Sequence, residues 1–134
     1  MKAWLRAALL AGILYLVIGV ATSDLARLSG QVWRVVAWVT SLVVFVVHIA
    51  YERDRLRSAP ATAALHAALA VALGGFGLAL AATSRAVAAG NYRGGYALAL
   101  VAWPVMLAVA AFVVAWAGAA IARGLRNRYS RGPR

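Results

Sequence analysis

At 134 residues the chain is one domain's length of polypeptide. Hydrophobic residues make up 65% of it, against the about 45–50% of a soluble domain, and the 13% that are charged sit in clusters. Too little polar surface is available for a soluble fold, and the absence of cysteine removes disulfides, thiolate metal sites and cysteine nucleophiles. A net charge of +11 would suggest nucleic acid in a soluble protein. Here the arginines flank apolar runs, where they orient the chain and meet anionic headgroups, so no nucleic-acid partner is expected.

A helix needs about 20 apolar residues to cross the roughly 30 Å hydrocarbon core. Four stretches qualify: about 4–22, 32–51, 61–83 and 96–122. The fold class expected is therefore an all-α integral membrane protein. It is a four-transmembrane-helix bundle of antiparallel up-down topology with short loops, one domain over 1–134. The first span, with Lys2 and Arg6 before it and Ala21-Thr22-Ser23 after it, resembles a signal peptide, but is read as a retained helix. It carries a small-residue face of Ala8, Gly12, Tyr15, Gly19 and Thr22, with Trp4 at an expected interface. A polar break at 23–30 then leads to the second span.

That span places Arg34, Trp38, Ser41, Phe45, His48, Glu52 and Arg55 on one seam, in steps of four and three. Polar side chains inside a membrane turn toward protein or a wet cavity, so the seam is expected to face inward. A mixed-charge tip, 52–60, follows, with Pro60 suited to open the third helix. The third span answers with His66, Ala70, Gly74, Gly77, Ala81 and Ser84 on one face, and Ala70, Gly74 and Gly77 form its close-packing part. Its Gly74-Gly75-Phe76-Gly77 run lies within an apolar span and is not a phosphate loop. In the fourth span Pro104 removes a backbone hydrogen bond and predicts a kink, beside Trp103. A basic tail, 123–134, holds Arg123, Arg126, Arg128, Arg131 and Arg134, expected to anchor on anionic lipid.

Ten of the 14 basic residues fall on the side of both termini and of the second loop, and four on the other. This asymmetry places the termini in the cytoplasm and the protein in the inner, cytoplasmic membrane.

The two histidines of the chain, His48 and His66, each lie nine residues from Arg57 and so are level in the hairpin of the second and third spans. Three readings follow. Each can bond a neighbour, with Glu52 one turn from His48. Both can ligate the iron of a haem b, with glycines on the facing helix making room and cytoplasmic arginines meeting the propionates. With Glu52 they can also form a protonation or quinone-type site. A zinc site has no motif spacing behind it. Ser41, Glu52, Arg55 and Arg34 are the supporting polar residues.

No acidic residue lies deep in a span, and there is no nucleophile triad, His-Glu-x-x-His motif or nucleotide loop. A stand-alone enzyme is not expected. The leading expectation is a non-catalytic membrane subunit that assembles with itself or with a larger complex. A haem- or quinone-binding electron-transfer subunit is the first alternative, and a small anion channel or transporter, resting on Arg34 and its three companions, the second.

Overall fold

The computed structural model describes residues 1–29 and 31–130, and side chains for 1–25 and 31–121. Within them are four helices and no strand: α1 (Ala3–Ser29), α2 (Gln31–Asp54), α3 (Pro60–Ala88) and α4 (Gly95–Ser130). Each is long and apolar enough to cross a membrane. The helices outrun the predicted spans. The polar stretch after Thr22 remains helical to Ser29, α3 continues to Ala88, and α4 passes 122. Hydropathy marks where a chain leaves hydrocarbon, but nothing in Ser23, Asp24 or Leu25 breaks a helix, so the winding continues into the polar zone. The basic tail and Arg27 lie outside the described side chains.

The turns follow local chemistry. Pro60 opens α3 at its first helical positions, where its missing N–H is not needed. At the other end of α3 the chain enters Gly90, with φ of 68°. The Gly90 N–H donates to the Val87 carbonyl at 3.0 Å, and that of Asn91 to Ala86 at 2.9 Å. This is a Schellman close, and glycine adopts its left-handed residue without strain. Between α2 and α3 that region is taken by Arg57, with φ of 50°. The α4 helix is continuous through Pro104, so the predicted kink is not a break.

Across the molecule the helices run in the order α2, α1, α3, α4. α3 is the hub, packed on α1 and α4, while α2 lies on α1 and touches α3 over a short stretch. This differs from the hairpin expected between α2 and α3. The glycines of the small face of α3 meet α1, and only its His66 and Ala70 end comes near the seam of α2. A Cβ placed on Gly74 would come within 2.5 Å of Tyr15 Cβ and 3.2 Å of the Gly12 carbonyl oxygen. One on Gly12 would meet Leu73 Cβ at 3.0 Å, and one on Gly77 would meet Leu16. The physical reason is reciprocity: α1 also carries a glycine face, and two such faces bring backbones closer than glycine against Trp38 and Phe45 could. Ala8, Ala11, Tyr15 and Ala70 form the resulting core. On the opposite side of α3, Gly75 admits α4 at Leu107 and Pro104.

Candidate functional site

The predicted seam of α2 divides in two. Its half nearest the α2–α3 turn faces protein, with His48 6% exposed and Glu52 fully buried. Phe45 and Ser41 are half-buried, whereas Trp38 is 75% exposed and Arg34 and Arg55 are exposed. The seam points inward only where α3 is close enough to meet it.

At that end a compact polar cluster forms. Glu52 Oε2 accepts a hydrogen bond from Ser58 Oγ at 2.7 Å and lies 3.1 Å from His66 Nδ1. With the carboxylate as acceptor, Nδ1 carries the proton. The backbone turns back onto the same residue, the Ser58 N–H donating to the Glu52 carbonyl at 3.1 Å. Arg57 in its left-handed conformation makes that reversal, at a cost of about 1–2 kcal/mol for a non-glycine residue. On the face of the His66 imidazole lies the Trp4 indole, with centroids 4.3 Å apart and planes 7° from parallel. Thus α2, α3 and the α2–α3 turn meet at one carboxylate, and α1 joins them through Trp4 on His66.

Two polar atoms of the cluster are left over. His48 Nε2 and Glu52 Oε1 are buried without a hydrogen-bond partner. A buried orphan of this kind costs about 1–3 kcal/mol, and typically marks an ordered water or a ligand contact.

Glu52 was expected one turn from His48 as its holder, but its bonds go to His66 and Ser58. Trp4, expected in an aromatic belt, is part of the cluster, and Ser58 was not foreseen at all. The signal for Trp4 was its position at the start of α1, on the same side as the α2–α3 turn. For Ser58 it was a hydroxyl six residues beyond a carboxylate in a tight reversal.

A bis-histidine iron needs both imidazoles to direct a nitrogen at one point with porphyrin between them. His66 is tied through Nδ1 to a fully buried carboxylate from the helix of His48 and its face is covered by Trp4, which leaves Nε2 as its ring nitrogen for any further partner. Among the described residues no three His, Asp or Glu side chains gather in a way that could hold a metal ion.

At the opposite end, Arg85 of α3 donates from Nη1 to Asp24 at 3.0 Å and to Ser23 at 3.3 Å of α1. Both partners are substantially exposed, so this pair contributes at most about 1 kcal/mol. A cavity of about 500 Å³ lies beside it, lined by Ser23, Arg85, Asn91 and Tyr96 among apolar residues.

Fold and site together define a small multi-pass helical membrane protein with a buried His–Glu–His core at one end of the bundle. Comparison with known protein families, with characterised proteins and with solved structures finds no match.

Proposed function

We propose that this chain is a non-catalytic membrane subunit of the inner, cytoplasmic membrane, with both termini in the cytoplasm, which works by assembling with other transmembrane helices. The observation carrying this reading is how little of two spans the monomer uses. Only 6% of the most apolar stretch of α2 and 6% of that of α4 is buried, against 50% for α3. α4 rests chiefly on α3 and leaves Trp103 and Trp116 each about half exposed. Thr40, mid-way along α2, is exposed as well. A polar side chain at such a depth is satisfied by helix neighbours more readily than by lipid.

The test is mass in a native-like bilayer. Extracted with a lipid-retaining polymer, the 14.0 kDa chain should run as a defined multiple of itself or with a stoichiometric partner. A monomer at every protein-to-lipid ratio would sink the reading.

A second reading has its own support in the two orphaned atoms. A quinone-type headgroup entering beside Trp4 would accept a hydrogen bond from the His48 imidazole and lie against Glu52. In a variant retaining Trp4 as its sole tryptophan, a short-chain quinone should quench the fluorescence saturably, and His48→Ala should abolish saturation. Linear, non-saturating quenching in both proteins would remove this reading.

A further inference from the structure

Between α1 and α2, at the end remote from the histidines, lies an open groove of about 490 Å³. It is lined by the small residues Gly19 and Ala37, the hydroxyls of Thr22 and Ser23, and Trp33, Trp38 and Arg34. Arg34 is exposed and has no protein partner among the described residues.

Few groups could supply one. The chain has three acidic residues. Glu52 and Asp54 end α2, at the opposite face of the membrane, and Asp24 is held by Arg85. The groove hydroxyls are spent on their own helix: Thr22 Oγ1 donates to the Ile18 carbonyl at 2.6 Å and Ser23 Oγ to Val20 at 2.8 Å. Among the described lining residues the guanidinium is therefore the one charged group, beside the two tryptophans and above small side chains.

Depth identifies the complement. Arg34 lies three residues into α2, about 4.5 Å along its axis, and Trp38 one turn further in. A cation at headgroup level above a trough that continues between tryptophans into the hydrocarbon matches a phosphate above an acyl chain. Arginine suits that phosphate through its planar, paired donors.

We infer that this groove is a binding site for one anionic phospholipid of the leaflet at that end, its phosphate on Arg34 and the upper part of an acyl chain along Gly19 and Ala37, between Trp33 and Trp38. The site is separate from the basic tail and does not depend on the proposed assembly.

Native mass spectrometry from vesicles of equal phosphatidylglycerol and phosphatidylcholine tests it. The protein should retain one phosphatidylglycerol in preference to phosphatidylcholine. Arg34→Gln should lower that retention about tenfold, Ala37→Leu should lower it by filling the trough, and Arg6→Gln at the other end should leave it unchanged. Added inorganic phosphate should not displace the lipid, since a free anion gains nothing from the trough; displacement would identify a simple anion site and overturn the proposal. So would equal retention of the two lipids, or Arg34→Gln matching the parent. A change of oligomer mass in Arg34→Gln with no lipid retained by the parent would show a second protein helix in the groove, and would also overturn it.

Discussion

Replacing Glu52 by leucine should destabilise the folded protein by on the order of 3 kcal/mol, the usual cost of breaking a buried charged hydrogen-bond set. The carboxylate is fully buried and is the shared acceptor for Ser58 and His66. Leucine fills comparable volume but leaves both donors with nothing to bond. Glutamine retains an oxygen in the same place, and so should cost about 1 kcal/mol, the worth of an ordinary hydrogen bond. Thermal unfolding in mild detergent, followed by tryptophan fluorescence, measures both, and the Trp4 stack on His66 provides a local reporter. Equal melting of the leucine and glutamine variants would show that the cluster does not fasten the helices together.

The second large effect is expected at Gly74. Its α-carbon faces Tyr15 Cβ and the Gly12 carbonyl, so an added methyl meets another helix's backbone and the root of a side chain, neither of which can swing away. Gly74→Ala should therefore force α1 and α3 apart, with a loss of about 1–3 kcal/mol, the range for overfilling a packed core. Gly118 of α4 has nothing within 4 Å of a built Cβ, and Gly118→Ala should be tolerated. If the two variants unfold together, the α1–α3 contact is looser than the geometry implies.

The four helices were legible because each span must satisfy the bilayer by itself: an apolar run of sufficient length is a requirement of the solvent, independent of neighbours. Which faces are small or polar was legible for the same reason. Which face meets which was not. The stepping of Arg34, Trp38, Ser41, Phe45, His48 and Glu52 defines a line on α2, but a line does not state how far the adjacent helix extends beside it. With α1 lying between most of α2 and α3, Glu52 reaches polar neighbours, His48 is buried without a hydrogen-bond partner for Nε2, and Trp38 is left outside. Counting from Arg57 put the two histidines in one hairpin end, and both are buried there. It could not show that Glu52 reaches across to His66, because that bond depends on the reversal at Arg57 and Ser58. Trp4 was hidden by a general rule: tryptophan near a helix start reads as an interface anchor. Nothing in the sequence marks the groove at Arg34, which is built from residues of two helices.

The lateral order α2, α1, α3, α4 also bears on how the chain is made. Helices reach the bilayer from the amino end onward, and each later one finds a completed neighbour: α2 settles on α1, α3 on α1, and α4 on α3. None must wait for a segment not yet synthesised. Glu52 is the exception, since it is delivered before His66. Its place in the last turn of α2 keeps the carboxyl group at the edge of the apolar span until α3 arrives, whereas the same pair at mid-span would leave a polar group surrounded by oil during synthesis. The position of the cluster therefore suits the order in which its parts are born.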